Sequence, residues 1–216
     1  MGYLFPYFFT SMPLFRHEVF NGNLFMDIRY INQVPQSGSF YTGKDLPRDE
    51  RRLAMQVVFQ TLPKTAEEFI SMPEFDLTSP FHVAALFITA ICAYHENRDE
   101  CYNMIDELKG PQKLGFMEKQ FIRQRMMGKS EYIGKAYLAG AAPQNDYTPE
   151  LPYTVIMEET PDTFAEVGYA TVYVHTDGAD SPRPVKLRKK GKDWFLWEHT
   201  GLFIDIYKPF SSDPWR

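Results

Sequence analysis

The 216-residue chain is long enough for one sizeable core, and its 44% hydrophobic and 24% charged residues are ordinary for a globular domain. A 16% aromatic content, with 18 Phe and 13 Tyr, excludes a disordered chain. A net charge of -5 excludes a global attraction to nucleic acid or anionic membrane, so any such binding requires a local patch.

Residues 1–61 form an aromatic, irregular N-terminal segment. Asn21-Gly22-Asn23 between Phe20 and Leu24 marks a hairpin, with residues 25–31 as its better strand. Residues 33–47 read as loop, being dense in Pro, Gly and Ser. Residues 49–62 satisfy neither period cleanly and are assigned to a helix. Tyr3, Phe5, Tyr7, Phe8, Phe9 and Phe15 cannot all face water without forming a patch, so they pack on this domain or on a second subunit. The N-terminus lacks a basic n-region, and Pro6 and Pro13 interrupt it, which makes a poor signal peptide.

Residues 62–141 form the helical part. Thr65-x-x-Glu68 has capping-box spacing for a short helix reaching Met72. Ser79-Pro80 opens a longer helix over residues 80–95, apolar nearly all round and therefore central; Ala85, Phe87, Ile88 and Ile91 are expected to be inaccessible. Asn97-x-x-Glu100 opens a third, whose Cys101, Met104, Ile105 and Leu108 form one stripe, ended by Gly110-Pro111. Residues 116–127 supply the next, with Met117, Phe121 and Ile122 inward, and a brief last helix is expected over 131–139.

Residues 142–216 change period. After a proline-rich link, residues 153–158, 169–175, 185–188 and 194–198 alternate as an antiparallel meander, with 202–207 as a fifth strand. Lys189-Lys-Gly-Lys-Asp193 turns the last hairpin. The whole is read as one α+β domain over 1–216, a helical cluster packed with a C-terminal antiparallel meander.

Several stretches carry a resemblance. Leu62-Pro-Lys-Thr-Ala-Glu-Glu-Phe69, Ser79-Pro-Phe-His-Val-Ala-Ala-Leu86, Leu108-Lys-Gly-Pro111 and residues 137–149 are four of them. Gly178-Ala-Asp-Ser-Pro-Arg183, Leu187-Arg-Lys-Lys190, Trp194-Phe-Leu-Trp-Glu198 and Ser212-Asp-Pro-Trp215 complete the set. Over about residues 62–216 the chain resembles a bacterial family catalogued as a domain of unknown function. The resemblance implies no activity, so function has to be argued from residues.

No catalytic motif stands out: there is no Gly-x-Ser-x-Gly elbow, and the glycines are spaced as helix ends rather than phosphate loops. Cys92-x-x-His95 with Cys101 is the one metal-like grouping, and its spacing fits no recurring zinc pattern, so both cysteines are read as core thiols without metal or disulfide. His175, Asp177 and His199 fall at strand ends, where they are the candidates for an alternative small-molecule or hydrolase-like pocket. Arg183, Lys186, Trp194, Trp197, His199 and Trp215 are the candidates for an interaction surface, and Trp215 is expected to dock beside the sheet. In strand 194–198, Trp194 and Leu196 point one way and Phe195 and Trp197 the other. The basic run around Lys189 raises single-stranded nucleic acid as a further alternative, weighed against a solvated strand face in an acidic chain. The sequence therefore supports a cytoplasmic, non-catalytic interaction module without cofactor, metal or membrane association, binding a protein partner or a second copy of itself.

Overall fold

A computed structural model describes residues 53–215. Among the described residues, five strands form one antiparallel sheet in the order β1-β2-β3-β4-β5: β1 (Leu53–Phe59), β2 (Tyr153–Glu159), β3 (Tyr169–Val174), β4 (Arg183–Lys190) and β5 (Asp193–Glu198). Between β1 and β2 lie α1 (Ala66–Ile70), α2 (Pro80–Cys92), α3 (Arg98–Lys109) and α4 (Phe116–Met126). The mixed α+β architecture read from the sequence is the one observed. The N-terminal hairpin, loop and aromatic cluster assigned before residue 53 lie outside the described residues.

Burial sorts the sheet into two faces. Val57, Phe59, Val155, Met157, Val172, Val185, Leu187 and Leu196 alternate inward and are buried. They are covered by α2, which touches every strand. Each residue from Val83 to Ile91 is buried, as expected of a helix apolar on every side. Helix α3 packs on α2 through Cys101, Met104, Ile105 and Leu108, all fully buried.

Capping departs from the simple box. Thr65 accepts the Glu68 amide at 3.2 Å, but the Glu68 carboxylate takes the Lys64 amide rather than that of Thr65. Asn97 accepts from Asp99 and Glu100, while the Glu100 carboxylate accepts the Ala66 amide and ties α3 to α1.

Three local expectations are corrected. Of the stretch 49–62 assigned to a helix, the described part from residue 53 holds a strand instead: β1 pairs with β2 from Leu53↔Glu159 to Phe59↔Tyr153, and this partner far along the chain decides an ambiguous local pattern. Residues 131–139 contain only a 3-10 turn at Lys135–Tyr137. Leu138 leaves it to bridge Val155, and the Ala139 amide donates to Thr154 O at 2.8 Å, filling the side of β2 that its short pairing with β3 leaves open. Residues 202–207 add no fifth strand; a 3-10 turn at Thr200–Phe203 buries Leu202 and Phe203 instead, and the fifth strand is β1. No helix among the described residues is long and apolar enough to cross a membrane.

Candidate functional site

Helix α3 ends on Gly110, whose φ of 63° is open to glycine and whose missing Cβ leaves room for the Phe195 ring. The chain thus folds closely over the edge strand β5. The elbow from α3 to α4 is held by the Leu114 amide donating to Asp106 Oδ1 at 2.6 Å and by Lys113 Nζ donating to Asp106 O at 2.8 Å. Tyr102 Oη donates to Lys119 O at 3.1 Å, fastening α4 to α3.

This elbow and the β4–β5 hairpin enclose two clefts. The larger, about 460 Å³, has Lys109, Gln112 and Glu118 on one bank and Arg188, Lys189, Lys190 and Phe195 on the other. The smaller, about 250 Å³, is lined by Met117, Phe121, Glu198, His199 and Thr200. Trp197 and Glu118 belong to both, so the clefts form one furrow.

Electrostatics at the junction are settled by a pair. The Lys109 side chain is almost fully buried, and its Nζ donates to Glu118 Oε1 at 2.7 Å. The other oxygen, Oε2, accepts the Gly115 amide at 2.8 Å at the start of α4. Burial would raise the Glu118 carboxyl, but these two hydrogen bonds and the Lys109 charge outweigh it and hold it below the usual range. His199 is 4% exposed and packs edge-on against Phe87 and Phe203. Burial, aided by the Lys109 charge and opposed by Glu118, lowers its pKa to about 4, so the ring is neutral near pH 7. Its Nδ1 is buried without a hydrogen-bond partner.

On the hairpin, Trp194 and Leu196 are buried, whereas Phe195 and Trp197 lie half-open on the other face. The Arg188 guanidinium sits 4.7 Å from the Trp197 ring centre, and Lys186 Nζ the same distance from that of Tyr169. A bulge between Lys186 and Leu187 leaves Trp197 without a direct cross-strand partner. Lys186 is bound by Glu166 at 2.6 Å. No carboxylate pairs with Arg188, Lys189 or Lys190 among the described residues.

Of the sequence candidates, Trp197 and His199 meet in the furrow. Trp194 lies beneath it in the core, with Lys189 Nζ 5.3 Å from its ring. Arg183 is at the opposite end of β4, donating to Asp205 O at 3.2 Å, and Lys186 lines neither cleft. His175 and Asp177 pair with each other at 3.2 Å on the surface and line neither of the two clefts, whereas His199 lines the smaller one. The expected docking of Trp215 does not occur: it is 93% exposed. The Ser211 amide anchors the tail at Asp146 Oδ1, and the indole is left in solvent. Met117, expected inward, is 72% exposed on the bank of the smaller cleft.

The cysteines are free thiols, Cys101 buried and Cys92 half-buried, and desolvation pushes Cys92 up to about 12 and Cys101 higher. His95 is engaged by Ser130 and Glu131.

Lys109 and Glu118 were overlooked in the sequence, although a signal exists. Lys109 stands four residues after Ile105, so a charge continues an apolar stripe, and a carboxylate follows nine residues later.

The chain matches no curated protein and no solved structure. Residues 61–210 match the model of a family described as a domain of unknown function (DUF6935), and the chain belongs to that family.

Proposed function

We propose that this domain is a non-catalytic protein-interaction module of the bacterial cytoplasm and that the furrow is its docking surface. The observation that carries the reading is Trp197, a half-open indole shared by two clefts and flanked by three cations without acidic partners among the described residues. Partly open aromatics and Arg are the usual anchors of interfaces. The exposed Met117 extends the apolar bank, as a partner site requires.

Two features weigh against the alternatives. General acid–base catalysis needs a positioned proton relay, yet both Glu118 oxygens are engaged by Lys109 and Gly115, and His199 Nδ1 has no partner to orient it. Stacking of single-stranded nucleic acid needs open ring faces, and here Arg188 and Lys186 lie over Trp197 and Tyr169.

A photo-crosslinking amino acid placed at Lys189, compared with one at Lys129, which lines neither cleft, tests the reading. Adducts of discrete mass from position 189, diminished by Trp197→Ala, are expected. An adduct of twice the chain mass would identify a second copy as the partner. Identical adduct patterns at both positions would overturn the furrow as the docking surface.

A further inference from the structure

We infer that the furrow takes an extended acidic segment of a partner protein, anchored by an aromatic side chain in the smaller cleft. This rests on the interaction reading above and adds the chemistry of the partner.

The charge of the segment follows from the rim. Lys109 is cancelled by Glu118 and Lys186 by Glu166, which leaves Arg188, Lys189 and Lys190 as the open charges around the larger cleft. A local cationic rim on a chain of net charge -5 repels nothing acidic at close range and selects against basic segments. Arg188 and Lys190 stand two residues apart on one strand, roughly 7 Å, which matches alternate side chains of an extended ligand.

The anchor follows from the smaller cleft. Met117, Phe121 and Trp197 give it apolar walls, and its volume of about 250 Å³ suits one aromatic side chain. His199 also lines it, its ring packed edge-on against Phe87 and its Nδ1 buried out of reach of the cleft. Apolar walls of this size favour an aromatic ring over a methyl group. Since Trp197 and Glu118 border both clefts, the anchor and the acidic residues must be close neighbours in the partner.

The test uses capped fluorescein-labelled peptides in which Asp and Glu flank a central Tyr, Phe or Ala, with a Lys-flanked Tyr peptide as control. Fluorescence anisotropy on the full chain should rank the acidic Tyr and Phe peptides above the Ala peptide, with the Lys-flanked peptide weakest and all acidic binding reduced by salt. The double variant R188E/K190E should bind the Tyr peptide about tenfold or more weakly while its melting temperature is unchanged, because both residues are exposed. Met117→Ala should reduce the preference for the aromatic peptides over the Ala peptide, with an unchanged melting temperature because Met117 is exposed. Equal binding of acidic and basic peptides, or full binding by R188E/K190E, would overturn the inference. If the crosslink at position 189 delivers a partner segment that is not acidic, the inference falls and the interaction reading stands. If neither peptides nor crosslinks engage the furrow, both fall.

Discussion

The two faces of the β4–β5 hairpin have opposite characters on the same few residues. Inward, Val185, Leu187, Trp194 and Leu196 are buried against the helical layer. Outward, Arg188, Phe195 and Trp197 stand half-open or exposed along the furrow. The inward set gains stability by leaving water, whereas the outward set retains aromatic area and charge that the Phe195–Gly110 packing and the Arg188–Trp197 contact only partly take up. A hairpin can thus carry the core and a recognition surface at once, because the period of two keeps their side chains apart.

The comparison breaks most visibly at the core. Ile88→Ala in α2 should cost about 2–5 kcal/mol by denaturant unfolding, through lost transfer energy and the cavity left behind. A wild-type midpoint would mean that α2 does not organise the inner face.

His199 lies between the two regions, and pH separates its contribution. Above pH 6.5 the ring is neutral whether folded or unfolded and costs nothing. As pH falls from 6.5 toward 4, the unfolded chain takes up a proton that the folded chain resists, so stability declines. The loss reaches about 3 kcal/mol at the lower end. Glu118, whose pKa is depressed, loses its contribution only as pH falls further through the carboxylate range. The difference in stability between the wild type and His199→Leu should therefore slope across this window and level off above it. A flat difference would place the ring in water rather than against Phe87.

The ion pair distinguishes its two partners. Glu118→Leu strands a buried ammonium and should cost about 2–3 kcal/mol. That is less than for a fully buried pair, because the Glu118 side chain is 37% exposed. Lys109→Met leaves a carboxylate that can reach water and should cost clearly less. Equal losses would show that the pair is solvated on both sides.

The smallest effect belongs to the rim. Lys189→Glu with Lys190→Glu should move stability by no more than about 0.5 kcal/mol. A larger drop would make these residues part of the fold rather than an unused surface.

Legibility followed the range of the interactions. Helix α2 and the alternation of β5 were readable because an apolar run and a strict period of two need no knowledge of a partner. The inward and outward orientation of Trp194 and Trp197 came from that period alone. Strand β1 was misread because its partner β2 lies far along the chain, and its own residues suit either state. In the furrow, Trp197 and His199 could be nominated as an aromatic and a strand-end histidine. Lys109 was hidden because it reads as an ordinary helix-terminal lysine until Glu118 folds over it. Trp215 was misjudged for the opposite reason: large apolar area suggests docking, but the tail is held by a backbone contact to Asp146.

The sequence by itself determined the α+β class, the buried central helix and the two-faced hairpin, since each is a periodic pattern of apolar residues whose burial is dictated by water. Only the tertiary structure decided the order of the sheet, the pairing of Lys109 with Glu118, and the meeting of Trp197 and His199 in one furrow. The first depends on the pairing of β1 with β2 far along the chain, and the furrow on a glycine turn that folds the α3–α4 elbow over an edge strand; no local pattern encodes which distant groups either brings together.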